Sequence, residues 1–122
     1  MRFLGPQADV EHLLPAADVF LLPSEHESFG LAALEAMACG VVPVATAAGG
    51  LPEVIRDGVD GLLIPEQDIA SMGARVTALL RDPPRLDAMK SAARRSAAER
   101  FSRDRIVPLY EAVYRDVLTA PA

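Results

Sequence analysis

The sequence predicts an α/β domain, a Rossmann-like parallel sheet with flanking helices. Three observations carry this. Short continuous apolar runs recur along the first half of the chain, "VFLLP" at 19–23, "VVPVAT" at 41–46 and "LLIP" at 62–65, the pattern of strands buried on both faces of a parallel sheet. A helical segment and a glycine-rich turn leading into a short helix separate them, so strand, helix, strand, helix, strand follow with right-handed crossovers. From Asp68 the texture changes to amphipathic helices. One domain over 1–122 is expected, with its strand and helix core at 1–66 and C-terminal helices at 67–120.

The elements follow in order. "RFLG" at 2–5 reads as a short strand ending in a turn. In "DVEHLLPAAD", Val10, Leu13, Leu14 and Ala17 stand at helical spacing. Asp9 is the expected N-cap, with Glu11 and His12 in the first turn, and Pro15 should end the helix or distort its last turn. After "VFLLP" a helix should open at Phe29 or Gly30 and stop at Gly40. Pro43 removes a ladder donor from the second strand, so an edge position or a late strand start is expected there. "AAGGLPEV" reads as a glycine-rich turn into a short helix around 52–56, and "DGVDG" as a turn. Asp68 should cap a helix carrying Ile69, Met72, Val76 and Leu79 or Leu80 on one face, stopped by Pro83 and Pro84. Leu86, Met89, Ala93 and Ala97 mark the next helix, and Ile106, Leu109, Tyr110, Val113 and Val117 the last.

Composition narrows the function classes. Among 122 residues, 51% are hydrophobic and 24% charged, which is globular rather than disordered. A net charge of -5 argues against nucleic acid as the main partner. Lys90, Arg94, Arg95, Arg100, Arg103 and Arg105 form a basic cluster, but Glu99 and Asp104 interrupt it, and a solvated helix face is the expected reading. Cys39 is the single cysteine, so no intrachain disulfide forms. No charged start followed by an apolar segment marks a signal peptide. The longest uncharged stretch, 36–52, is broken by Gly40, Pro43, Gly49 and Gly50, which excludes a membrane span. A cytoplasmic protein is expected.

Doubly wound sheets bind ligands at the carboxyl ends of their strands. The loops "SEHESFG" and "AAGGLPE" fall there. Between Ser28 and Pro52 the only charged side chain is Glu35, inside the apolar helix "LAALEAMAC". Such a helix should be buried on most sides, where an unpaired carboxylate costs several kcal/mol. Glu35 is too deep for capping, and physical grounds alone leave a functional role, a structural ion pair and a solvent-facing stripe open. Taken alone, Glu27, in the loop, reads more readily as a helix cap than as a ligand contact. The same helix start, "SFG", offers free N–H groups and a positive dipole end suited to an anion or hydroxyl. Paired carboxylates there suit a polyhydroxyl ligand such as a sugar or ribose, and no His/Asp cluster supports a metal.

Glu27 and Glu35 form E-x7-E. In the context "PSEHESFGLAALEAMACG…ATAAGGLPEVI…DGVDGLLIP" the chain resembles, along nearly all its length, the retaining nucleotide-sugar-dependent glycosyltransferases of the GT-B fold, family 4. Within that family it is most similar to the N-acetylglucosaminyl-malate synthases of bacillithiol biosynthesis. The resemblance implies a partial C-terminal, donor-binding domain that takes a sugar such as N-acetylglucosamine from UDP-GlcNAc to a hydroxyl acceptor such as L-malate. It implies that Glu27, the candidate catalytic residue, contacts donor-sugar hydroxyls and that Glu35 binds the ribose. Ser28 and the backbone amides of Phe29, Gly30 and Leu31 would face sugar and diphosphate, with Ser24, Gly49 and Gly50 lining the cleft. His26 and His12 carry no implied role. The nucleotide sugar is substrate, and no metal or other cofactor is implied.

Departures bear on the same picture. "CGVVPV" places Pro43 one residue later than the family's usual "CG.PV", and Pro108 falls inside the last helix, implying a kink or a start near Val107. The family clamps the diphosphate with an upstream basic pair and binds acceptor on an N-terminal domain, whereas Arg2 is the only basic residue before Glu27, histidines aside. Two function classes follow. In the first, the chain is the donor-binding part of a larger glycosyltransferase and is inactive alone. In the second, it is a non-catalytic stand-alone or truncated α/β module. A receiver-like module is excluded because the acid pair expected after the first strand is absent. Lost partner segments would leave an exposed apolar surface and drive self-association.

Overall fold

The computed structural model describes residues 1–120. Three parallel strands, β1 (Val19–Leu22), β2 (Val42–Thr46) and β3 (Leu62–Ile64), pair in the order β1-β2-β3. The register sets Val19 beside Val42 and Val44 beside Leu62. Helices α1 (Val10–Leu13), α2 (Leu31–Ala38), α3 (Leu51–Val54), α4 (Met72–Leu80), α5 (Pro83–Phe101) and α6 (Arg103–Thr119) flank and follow the sheet. The expected α/β arrangement is therefore present, in the expected order.

Every residue of β2 is buried, because it lies between two strands and two layers of helix. Its alternation sorts the core. Ala45 faces Ala33 and Met37 of α2, Leu51 and Val54 of α3, and Ala93 and Ala97 of α5. Val42 and Val44 face Leu62, Ile64, Met72 and Leu79, with Leu86 and Met89 of α5. The two halves of α5 thus serve opposite faces of the sheet. Each fully buried aliphatic side chain contributes about 1.5–3 kcal/mol.

Several expectations are corrected. Residues 2–5 form no strand, and Phe3 and Leu4 stand exposed without a ladder partner. The helix at α1 is a single turn that passes at Pro15 into a 3-10 turn, Leu14–Ala16, the distortion expected of a proline. β1 is an edge strand with no buried residue, and Leu21 is 52% exposed. Its continuous apolar run is covered on fewer sides than the sequence implies.

Pro43 sits in the central strand and the strand does not start late. The amide of Val42 donates toward β1, to Asp18 O at 3.3 Å, so the nitrogen of Pro43 points toward the β3 side, since ladder groups alternate along a strand. Pairing with β3 begins only at Val44. The missing donor therefore falls before the ladder, opposite Gly61, where an added Cβ would stand 2.8 Å from the proline ring.

The outer side of β3 is closed by side chains. The amide of Leu63 donates to Asp57 Oδ1 at 2.8 Å, and its carbonyl accepts from Arg75 Nη1 at 2.6 Å. Arg75 also pairs with Asp57 at 3.0 Å.

Farther on, Asp68 is not a cap. It lies inside a 3-10 segment, Glu66–Ser71, and Ser71 is the N-cap residue of α4. Met72 and Leu79 are buried as expected, whereas Ile69 and Leu80 are about half exposed. Asp82 caps α5 by accepting from the Arg85 amide at 3.2 Å, with Pro83 at the first helical position, where its lost donor costs nothing. The break between α5 and α6 falls at Ser102, whose carbonyl accepts from Arg105 and Ile106. α6 thus begins at Arg103 rather than near Val107, and Pro108 lies within it. Along α6, Leu109, Tyr110, Val113, Tyr114, Val117 and Leu118 are all exposed.

Candidate functional site

The loops that leave β1 and β2 at their carboxyl ends are pressed together. Thr46, at the end of β2, donates its hydroxyl to the carbonyl of Ser24 in the first loop. The Gly50 amide donates to the Glu27 carbonyl at 3.2 Å. A Cβ on Gly50 would meet Ser28 O at 2.5 Å and Phe29 Cα at 3.0 Å, and one on Gly49 would overlap the Glu27 carbonyl. Gly49 also has φ +53, a left-handed conformation that glycine adopts without strain. Gly30 repeats the pattern at the start of α2, with φ +96 and Leu51 Cδ2 2.6 Å from an added Cβ. The glycines expected to line the cleft are therefore the means by which the two loops meet.

A cleft of about 450 Å³ opens over the strand ends, lined by Ser24, Glu25, His26, Thr46 and Glu66. It adjoins a second concavity where Glu27, Ser28 and Gly49 meet the same Glu25, His26 and Glu66. Glu27 is half-buried there, while Glu25 and His26 are exposed. Gly30 is the N-cap residue of α2 with no side-chain cap, so Glu27 does not cap the helix. The first amide of α2 to find a backbone acceptor is that of Leu34, bonded to Gly30 O at 3.0 Å. Among the described residues, those of Leu31, Ala32 and Ala33 have none, and with the helix dipole they make an end suited to an anion or hydroxyl oxygen.

The remaining candidates point elsewhere. The side chains of Phe29 and Leu31 line an apolar groove with Leu34, Phe101, Ile106 and Tyr110, leaving their backbone at the helix start. Glu35 is exposed and lines a groove between α1 and α2 with Val10, Glu11, Leu14 and Cys39. α2 buries one side only, through Ala33, Ala36 and Met37, so the expectation of burial on most sides is corrected. The carboxylate of Glu35 has no hydrogen-bond or ion-pair partner among the described residues, which matches the solvent-facing reading of its position. Glu27 and Glu35 thus line separate concavities, the first over the strand ends and the second between α1 and the C-terminal half of α2.

Sequence reasoning misses Glu66. It follows the apolar run of β3 directly, at the carboxyl end of a third strand, and the strand-end rule that selects the other two loops applies to it equally. Among the described residues no group of three or more His, Cys, Asp or Glu side chains is placed to hold a metal ion. No helix among the described residues is long and apolar enough to cross a membrane.

Residues 1–96 match the family model described as glycosyl transferases group 1. The chain is 46% identical over 116 residues to the N-acetyl-alpha-D-glucosaminyl L-malate synthase of Bacillus anthracis, covering 95% of this chain and 30% of that protein. It is 42% identical over 121 residues to a D-inositol 3-phosphate glycosyltransferase of Saccharomonospora viridis, covering 98% of this chain and 28% of that one. Among solved structures, Anabaena HepE, crystallised in complex with UDP, superposes with a TM-score of 0.84 at 28% identity, covering 98% of this chain and 32% of HepE. A glycosyltransferase from Rickettsia africae shares the fold with a TM-score of 0.89 at 20% identity, covering 98% of this chain and 32% of its own. The chain thus spans about 30% of the length of the curated relatives it matches.

Proposed function

The chain belongs to the glycosyl transferases group 1 family, and we propose that within it residues 1–122 form part of a GT-B donor domain that binds a nucleoside diphosphate sugar. The observation that carries the proposal is the seam between the loops after β1 and β2. Gly49 and Gly50 bring the turn after β2 onto the backbone of Glu27, Ser28 and Phe29, and the free amides of α2 open beside a half-buried carboxylate. The likeness to HepE, a protein crystallised with UDP, supports the same class of donor.

In this proposal Glu27 accepts hydrogen bonds from hydroxyls of the donor sugar, and Ser28 and the amides at Phe29, Gly30 and Leu31 face sugar and diphosphate. Glu35 accepts from the ribose hydroxyls across the start of α2. Ser24 lies at the margin of the cleft. The sugar is transferred with retention: the bond from the anomeric carbon to the diphosphate oxygen breaks as the acceptor oxygen bonds the same face, and the acceptor's hydroxyl proton passes to the departing diphosphate oxygen. Charge on the leaving diphosphate is stabilised by preorganised donors. Glu27 and Glu35 position the donor and supply no nucleophile. The donor is UDP-N-acetylglucosamine and the acceptor a hydroxyl such as that of L-malate, a reading supported by the relative in Bacillus anthracis. Acceptor binding and a basic diphosphate clamp belong, in this proposal, to polypeptide beyond these 122 residues, and the chain alone turns nothing over. A cytoplasmic location is part of the same reading.

Calorimetric titration of UDP and UDP-N-acetylglucosamine into the chain tests this. Binding of both, weakened about tenfold or more by Glu35→Ala, is the expected result. Absence of heat at millimolar ligand would leave a non-catalytic module as the better description.

A further inference from the structure

Two consecutive residues at the end of α5 hold both loops of the candidate site. Arg100 Nη1 donates to the carbonyl of Val54 at 2.9 Å, and Nη2 donates to that of Glu53. These are the last carbonyls of α3, which a helix of one turn leaves without intrahelical partners and which carry the negative end of its dipole. α3 begins at Leu51, directly after Gly49 and Gly50. Arg100 therefore anchors the element that fixes the glycine turn. Its guanidinium is held by Ser96 Oγ at 3.1 Å, by the fully buried carboxylate of Asp60 at 3.9 Å, and over the ring of Phe101 at 4.7 Å.

Phe101 meets the other loop. Its ring stands edge-on to Phe29, with centroids 5.9 Å apart and planes at 79°, a favoured aromatic geometry. Phe29 is the residue whose Cα would lie 3.0 Å from a Cβ on Gly50. One residue of α5 thus fixes the loop after β2 through α3, and the next fixes the loop after β1 through Phe29. Neither side chain lines the cleft at the strand ends.

We propose that Arg100 and Phe101 are a positioning pair, setting the glycine turn against the Glu27–Phe29 backbone so that the donor cradle is formed before any ligand arrives. The proposal rests on the donor-site reading above for its functional meaning, but its geometry is testable without a ligand. The Gly50 amide, bonded to Glu27 O, reports the seam directly.

Hydrogen exchange by NMR on the ligand-free chain, with a denaturation midpoint for each variant, is the first arm. Arg100→Met and Phe101→Leu are each expected to speed exchange at the Gly50 amide by about tenfold or more, while amides of β2 change only as far as global stability does. Arg100→Lys should restore part of the protection, because it keeps a charge at the α3 carbonyls but loses the two-pronged contact. Arg95→Met, on an exposed position of the same helix, should leave Gly50 as in the parent chain. Exchange at Gly50 that stays unchanged in both variants, or rises only in step with the β2 amides, overturns the proposal. The second arm is UDP affinity, expected to fall in the same order as Gly50 protection. A parent chain that binds no UDP defeats the donor-site reading and leaves the exchange result to decide the positioning role. If Arg100→Met does not fold, Phe101→Leu alone decides.

Discussion

Gly49 and Glu27 touch through backbone alone: a Cβ at Gly49 would stand 1.5 Å from the Glu27 carbonyl oxygen. No rotamer change relieves that contact, because neither atom belongs to a flexible side chain. Gly49→Ala therefore forces the loops apart and also strains a left-handed residue. We expect a loss of at least about 2 kcal/mol in chemical denaturation, together with loss of UDP binding. A variant as stable as the parent would mean that the two loops are not in contact in solution.

Glu27 and Glu35 should separate by ligand. With Glu27→Ala, UDP-N-acetylglucosamine should bind no more tightly than UDP, because the sugar contact is gone. With Glu35→Ala both should weaken together. Neither change should alter stability by more than about 0.5 kcal/mol, since Glu35 is exposed and unpaired among the described residues and Glu27 caps nothing. Equal weakening of both ligands by Glu27→Ala would remove the sugar role.

Asp60 is the buried polar anchor behind the site. Its carboxylate accepts from the Arg56 amide and Nε, both at 2.7 Å, and is wholly inaccessible. Asp60→Ala leaves that amide and the Arg100 contact without their acceptor. A cost of about 2–4 kcal/mol is expected, read from the urea midpoint, with Asp60→Asn recovering part of it. A loss under about 0.5 kcal/mol would show that water replaces the carboxylate at no cost.

α6 should make the chain associate. Leu109, Tyr110, Val113, Tyr114, Val117 and Leu118 recur at helical spacing and stay exposed, and a contiguous exposed apolar stripe favours association. Sedimentation velocity should show mass rising with concentration, and Val113→Glu with Val117→Glu should return it to monomer. A monodisperse monomer at every concentration would refute this.

Much of this was legible in the sequence, for physical reasons. Runs of Val, Leu and Ile between turns read as strands covered on both faces, and β2 and most of β3 are buried in that way. Gly40 and Pro15 acted on their helices as backbone chemistry requires. The same reasoning erred where it needed a neighbour it could not see. "RFLG" has strand composition but no partner, and β1 has a core-like sequence at a sheet edge. Pro43 is tolerated centrally because β3 starts pairing one residue later. At the site, E-x7-E marked both carboxylates, yet spacing could not say that they line different grooves. Nor could it assign Arg100, whose hold on α3 runs through carbonyls of residues 53 and 54, far away in sequence and without any side-chain signature.

The fastening of Leu63 by Asp57 and Arg75 gives the sheet a direction of growth. On that margin the free amide and carbonyl are already occupied, so an incoming strand would have to break a charged clasp before it could dock. At the other margin β1 has no strand partner on its outer side among the described residues, and Leu21 is exposed. A strand that extends this sheet is therefore expected to add at Val19–Leu22 rather than beside Leu63.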